Sequence, residues 1–467
     1  MPTTAGNRPR AIPPDAQALN RRGLELVAAG APEAAIALFD DAVRRYPEIP
    51  ELHCNRAVAL EHTGDHLRAA DAYRAALRSD PDCLPALRGL AVLALRSGRY
   101  QDARDYFERL LRNRPGDTDA HWALYEIEQI LGEPQVALDH QRAALARRRL
   151  YARRAPDERR RVLVLLAPGD WQANVPVDPL FDARTTTLHK LYVDPAIPVD
   201  PATLPPCDVV FVAIGQSDRA APFLRHAEEL AAALGRPVLN RPDRVAALRR
   251  ETFADLFTGL EGIEVPRTRR IARDSFHDGR LPLDPPFIIR PLDAHAGHGL
   301  TRIERPGDLD DYLARYAATE FYVAPFVEYR SDDGWYRKYR FVAVGGTPFA
   351  YHLAISQHWM VHYYNAPMRE HAWMRAEEER VLADPDGALG PAVRQRLAAM
   401  AARTGLDYVG FDIAIGRDGR IILFEADPAI IVHVADDSAL FEYKRRYVPQ
   451  IFAALERLVD ERRVGSR

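Results

Sequence analysis

The hydrophobic pattern of this chain changes character at Val162. Before that point, small and apolar positions return at long, regular intervals between helix-like stretches. After it come short continuous apolar runs bounded by Gly and Pro. Val162–Ala167 stops at Pro168-Gly169, and Cys207–Gly215 stops at its own glycine. Runs of this length with such boundaries predict buried strands. A helical stretch over about 222–234 then leads to Pro237-Val-Leu239. This strand–helix–strand alternation predicts a small α/β unit over roughly 160–240. Further on, the pattern predicts a helix over 244–256 and strands over 287–290 and 341–344.

The most informative alternation lies in Gly410–Pro428. Asp418-Gly419 is a strong two-residue turn signal, because both positions tolerate positive φ. With that loop, Arg417 pairs with Arg420, and counting outward sets Asp412 opposite Glu425. Strand alternation adds Asp427 to the same face. The other face then carries Phe411, Ile413, Ile415, Ile422 and Phe424 as core. Three like charges on one face repel unless a cation sits among them, and hard oxygen ligands on strands suit Mg²⁺. An ordinary acidic surface hairpin is the plain alternative.

In the first third, four registers recur every 34 residues. They are Gly30, Gly64, Gly98 and Gly132; Ala35, Ala69, Ala103 and Ala137; Phe39, Tyr73 and Phe107, with Gln141 last; and Pro47, Pro81 and Pro115. The pattern resembles a tetratricopeptide repeat array over residues 16–150. The alanines allow close helix approach, the glycine ends the first helix of each pair, and the proline stops the second. The resemblance implies a groove for a peptide or protein partner; a spacer or dimerisation surface is the alternative. Arg147–Arg161 follows, with eight arginines and a helix-breaking Ala155-Pro156-Asp157. It reads as a solvated helix end plus linker.

Composition narrows the classes. The 467 residues suggest about three domains. A net charge of −3 gives no general attraction to nucleic acid or anionic membrane. No apolar run reaches membrane-spanning length. Cys54, Cys83 and Cys207 lie far apart in the sequence, which fits a reducing, cytoplasmic setting. Residues 1–15 lack an apolar signal core and read as a disordered terminus. His358 and His362 stand at helical spacing, and His295 and His298 flank a glycine loop; aromatic packing or substrate contact is preferred over zinc.

In order, the segments after Leu163 resemble the ATP-grasp ligases, in their glutathione-synthetase and ribosomal-modification branch. These segments are Pro286–Pro291, the loop 293–299, Glu320–Glu328, Trp335–Gly346 and the carboxylate hairpin. The resemblance implies a pre-grasp α/β domain over 160–240 and an α+β ATP-grasp domain over 241–460. The whole is then multidomain, an all-α solenoid followed by these two. It implies ATP and Mg²⁺ as cofactors. Arg250 and Arg290 hold the α- and β-phosphates, and Gly297 and Gly299 let a backbone loop approach the phosphates. The hinge at Phe326 and Val327 reads the adenine edge, while Asp412, Glu425 and Asp427 hold the metal. Arg340, with Lys338, stabilises the transferred phosphoryl group. The implied reaction joins a carboxylate to an amine through an acylphosphate, with ADP as product. The acceptor is a peptide, a carrier protein or a small molecule, recruited by the repeats. This chain departs from the family in having Arg250 and Arg290 where lysine is usual, and Asp427 where asparagine is common. Those departures keep a second reading open, a non-catalytic interaction protein with a degenerate nucleotide-binding domain. Phosphoryl transfer to a hydroxyl is a third.

Overall fold

The computed structural model describes residues 12–276, 281–292, 297–363, 365–434 and 439–464. Two compact units divide the chain, Met1–Arg149 and Leu150–Arg467.

The first unit is four helix pairs. They are α1 (Pro14–Ala28) with α2 (Pro32–Arg45), α3 (Pro50–His62) with α4 (His66–Ser79), α5 (Leu84–Arg96) with α6 (Tyr100–Asn113), and α7 (Thr118–Leu131) with α8 (Pro134–Leu145). Helix α1 opens at Pro14, just inside the segment expected to be irregular; the rest of that expectation falls on residues 1–11, outside the described ones. Five of the eight helices start with Pro in the first turn, where its missing N–H costs no hydrogen bond. Where Pro is absent, Asp65 and Asp117 cap α4 and α7 by accepting from the N–H groups of Arg68 and Ala120. The periodic Gly30, Gly64, Gly98 and Gly132 all have positive φ, between 68° and 83°, and turn the chain between the helices of each pair. The aromatic register is buried: Phe39, Tyr73 and Phe107 are at most 4% exposed. Tyr73 lies against Gly89 of the next repeat, where a Cβ would come 2.2 Å from the ring. Repeat-to-repeat packing is thus written into small-against-large pairs.

The second unit holds three sheets. The first contains β1 (Leu150–Arg153), β2 (Arg160–Leu166), β3 (Thr186–Tyr192), β4 (Val209–Val212) and β5 (Val238–Leu239), in the order β1-β3-β2-β4-β5. Only β1 is antiparallel to its neighbour. Helix α9 (Ala221–Leu234) links β4 to parallel β5, which is the strand–helix–strand unit read from the sequence. The sheet begins at Leu150, not residue 160. The arginine-rich segment is therefore not a linker, because its first half is an edge strand. Arg160 is held by Asp460 and Glu456 rather than solvated.

Next come α10 (Pro242–Ala246) and α11 (Phe253–Leu256), where one helix over 244–256 was expected. The break leaves Arg250 in a turn and aims it at the third sheet. The second sheet is β7 (Arg269–Ala272), β10 (Glu320–Pro325), β8 (Phe287–Pro291) and β9 (Thr301–Ile303) in that order, with α12 (Pro306–Arg315) beside it. The third contains β12 (Thr347–Ser356), β11 (Tyr336–Val344), β13 (Tyr408–Ile415), β14 (Ile421–Asp427) and β6 (Ile263–Glu264), again in spatial order. Helices α13 (Ala372–Ala383), α14 (Pro385–Leu389), α15 (Pro391–Thr404), α16 (Lys444–Tyr447) and α17 (Pro449–Val464) complete the unit. One face of the third sheet, with Phe341, Phe411, Ile413, Ile421 and Leu423, joins the main core.

Candidate functional site: a charged row across the third sheet

Asp412 stands opposite Glu425, as the turn count predicts, but by a different route. The loop has three residues, Arg417–Gly419, since the Gly416 N–H donates to the Arg420 carbonyl. Gly419 supplies the positive φ of 77°. This shifts the near end of the hairpin by one residue, so Ile413 pairs with Leu423. A β-bulge at Phe424 then shifts it back. The bulge also changes faces. Ile421, Leu423 and Ala426 enter the main core, whereas Ile422 and Phe424 pack on the opposite side with Tyr329 and Tyr336. The expected core face was therefore wrong for Ile422 and Phe424.

The same cross-strand row continues over the sheet. His352 of β12 is opposite Arg340 of β11, Arg340 is opposite Asp412 of β13, and Asp412 is opposite Glu425 of β14. A second bulge, at Tyr351, lies beside this row. Two bulges flanking one row re-aim its side chains together.

Asp412 is 3% exposed and sits between two cations. Arg340 binds it through two parallel N–H···O bonds of 2.6 and 2.9 Å. Lys338 reaches it at 2.7 Å. Burial alone would raise the Asp412 pKa, but Arg340 and Lys338 hold it far below the usual range. Arg250 pairs with Glu425. Glu425 stays on the low side despite burial, through Arg250, Lys338 and Arg290. Asp427 behaves in the opposite way: burial and the neighbouring Glu425 push it up to about 7. Its Oδ1 accepts from the Ala429 N–H at 2.8 Å.

Arg290 lies on β8 of the second sheet. Burial and the nearby Arg250 lower its pKa to about 10, and its Nε is buried with no hydrogen-bond partner among the described residues. Thus Arg250, Arg290, Lys338 and Arg340 converge with Asp412, Glu425 and Asp427, although they come from four strands and a turn. As they stand, Asp412 and Glu425 are taken up by these cations. Among the described residues no group of three or more His, Cys, Asp and Glu is gathered to hold a metal.

The hinge residues follow β10. That strand is interior, between β7 and β8, and not a sheet edge. Phe326 leaves it with an N–H···O bond to Pro286 and stacks edge-on against Trp359; Arg302 lies 4.5 Å over its ring. Val327 packs on the Tyr329 cluster. Gly297 and Gly299 both have positive φ, 76° and 68°. Residues 293–296 of their loop, with His295, lie outside the described residues. His358 and His362 are not on a helix. Both lie in an irregular loop, of which Gln357–Met360 wall a cleft of about 1000 Å³ together with Leu300, Arg302 and Arg330; His362 does not line it.

Sequence reasoning missed His352. The residue is 7% exposed, its Nδ1 has no hydrogen-bond partner among the described residues, and burial beside Arg340 and Lys444 drives its pKa well below the ordinary value. The sole sequence signal was its place in an otherwise apolar strand.

Residues 20–83 and 60–126 match the tetratricopeptide repeat family. No curated protein matches the chain. Among solved structures, MamA is similar at 20% identity, over 29% of this chain and 80% of that one, with a TM-score of 0.27. A MamA fragment from Desulfovibrio magneticus RS-1 is 20% identical over 29% and 77%, also at 0.27. PilF of Pseudomonas aeruginosa is 20% identical over 28% and 60%, at 0.26. No helix among the described residues is long and apolar enough to cross a membrane. Residues 20–126 are tetratricopeptide repeats, and such repeats suggest protein–protein interaction.

Proposed function

We propose that the unit from Leu150 onward is an ATP-dependent carboxylate–amine ligase of the ATP-grasp kind, and that the repeats recruit its peptide or protein acceptor. The observation that carries this reading is the meeting of four cations and three carboxylates around one cross-strand row. Two features fit a metal-bridged polyphosphate. Arg290 is a half-buried cation whose buried Nε has no hydrogen-bond partner among the described residues, beside like-charged Arg250, which is a cation excess suited to phosphate oxygens. Asp427 is held up near 7 by burial and by Glu425, and a cation would relieve the second of these. Asp412, Glu425 and Asp427 would hold Mg²⁺, which when bound neutralises charge on the β- and γ-phosphates.

The chain's own residues do the rest. Arg250 and Arg290 bind and orient the nucleotide. Arg340 is fixed by its two bonds to Asp412, so it offers a pre-set cation to charge that develops on a transferred phosphoryl group. Lys338 supports it from the same strand. Burial keeps His352 neutral, so it adds no further positive charge behind Arg340.

The test is ADP release from Mg²⁺-ATP over a panel of carboxylates, with hydroxylamine as the amine. Ligation predicts ADP and a hydroxamate in equal amounts. ADP with a phosphorylated hydroxyl and no hydroxamate would replace the proposal by simple phosphoryl transfer. No ADP with any carboxylate would leave the interaction-protein reading.

A further inference from the structure

Cys54 and Cys83, distant in sequence, meet in the repeat array. Their sulfurs are 3.5 Å apart, and the side chains are only 5% and 7% exposed. Cys54 is on α3 of the second repeat. Cys83 is the residue immediately before α5, the first helix of the third. The meeting follows from the repeat geometry, not from chance. One period later the equivalent positions are Arg88 and Asp117, and these also touch, as an ion pair. One period earlier they are Asn20 and Ile49. The array therefore brings this pair of positions together at successive repeat junctions, and at one junction both are thiols. Cys207 lies in the other unit.

We propose that Cys54 and Cys83 form an oxidisable dithiol, which a peroxide converts to a disulfide that staples the second repeat to the third. The two sulfurs are unequal. Cys83 stands at the N-terminus of α5, whose free N–H groups favour a thiolate there, and the contact with Cys54 lowers it further. The same contact and burial push Cys54 up. Cys83 is then the attacking sulfur. Its thiolate breaks the O–O bond of hydrogen peroxide, and with one proton it gives a sulfenic acid and water. The Cys54 sulfur displaces that hydroxyl, its own proton leaving in a second water. Two thiols and one peroxide thus become one disulfide and two waters. Reaching the ~2.05 Å bond length takes about 1.5 Å of sulfur approach. Both sulfurs are nearly covered, so the oxidant must be small; bulky disulfides should react far more slowly.

The experiment uses the full, reduced chain, exposed to hydrogen peroxide at neutral pH. It is then denatured, alkylated and analysed by intact mass and peptide mapping. The expected product is about 2 Da lighter before alkylation, joins the Cys54 and Cys83 peptides, and leaves Cys207 free to alkylate. Dithiothreitol should reverse it, and oxidised glutathione should form it at least tenfold more slowly. Cys54→Ser should accumulate a dimedone-reactive sulfenic acid on Cys83. Cys83→Ser should leave Cys54 unoxidised over the same exposure. Recovery of both thiols from wild-type protein would overturn the proposal. So would a link through Cys207, or Cys83→Ser oxidising as fast as wild type. The same pairing preference in concentrated urea would also overturn it, because the preference would then owe nothing to the folded array.

Discussion

Replacing Asp412 with Asn is the sharpest perturbation of the charged row. The side chain is 3% exposed, and its partners Lys338 and Arg340 are 18% and 22% exposed, so three charges share a largely desolvated place. Removing the carboxylate leaves two cations facing an amide that offers one weaker acceptor. Breaking a buried pair from one side typically costs about 3–5 kcal/mol, because the remaining charge is uncompensated. For a unit of this size that corresponds to a fall in melting temperature of roughly 5–15 °C. Urea denaturation followed by tryptophan fluorescence reads it well, since Trp171, Trp335, Trp359 and Trp373 all lie in this unit. The midpoint should fall with little change in slope. The triple variant Asp412→Leu, Arg340→Met, Lys338→Met should recover most of the loss, since it buries no charge. The pH dependence has a defined sign. The folded-state pKa of Asp412 is depressed, so its contribution is complete above about pH 4 and is lost as the pH falls further, toward the folded value. The difference between wild type and Asp412→Asn should thus be flat from pH 8 to 5 and shrink below about 4. A loss under about 1 kcal/mol at pH 7 would refute the reasoning, as would a triple variant less stable than the single one.

Three other outcomes follow from the same structure. Asp427 has a raised folded-state value of about 7, so its neutral form favours folding and stability declines as pH rises from about 4 through 7. Asp427→Asn should flatten that slope and be the more stable protein at pH 8, as measured by urea midpoints across pH. Gly89→Ala drives a methyl group to 2.2 Å from the Tyr73 ring and should cost the repeat array about 1–3 kcal/mol by circular dichroism melting. Tyr73→Leu in the same chain should restore part of it. A fragment of residues 150–467 should melt higher than one of residues 156–467, which lacks β1 and the Arg153 bonds to the carbonyls of Asp178 and Phe181.

How far the sequence speaks depends on whether the deciding contact is local. The repeat registers were legible because each does its work within one helix pair or between neighbouring ones: glycine at positive φ, proline just past a helix end, aromatic against a small residue of the next repeat. The hairpin shows the limit. Asp412 and Glu425 were paired correctly although two details were missed. A three-residue loop moved the register by one, and the bulge at Phe424 moved it back. Neither has a distinctive local signature, and their effects cancelled only for residues beyond the bulge. Ile422 and Phe424, inside it, changed faces. Strand β3 went unread because Thr186–Tyr192 lacks the apolar runs of its neighbours, and β1 hid among arginines whose partners lie far along the chain. The break between α10 and α11 answers to Glu425, a partner 175 positions away. The cysteines looked isolated because proximity across repeats is invisible to linear spacing.

The central claim is that the charged row binds a metal-bridged polyphosphate, and Arg290 tests it most directly. This arginine is half-buried, its Nε has no hydrogen-bond partner among the described residues, and Arg250 stands beside it, so burial and repulsion outweigh what its charge gains from Glu425. Isothermal titration of ATP into wild-type protein and Arg290→Met, with Mg²⁺ and with a chelator, separates binding from stability. The account predicts Mg²⁺-dependent binding by wild type and at least tenfold weaker binding by Arg290→Met, whose urea midpoint should be unchanged or higher. Equal binding by the two proteins, binding indifferent to Mg²⁺, or no binding by wild type would contradict it.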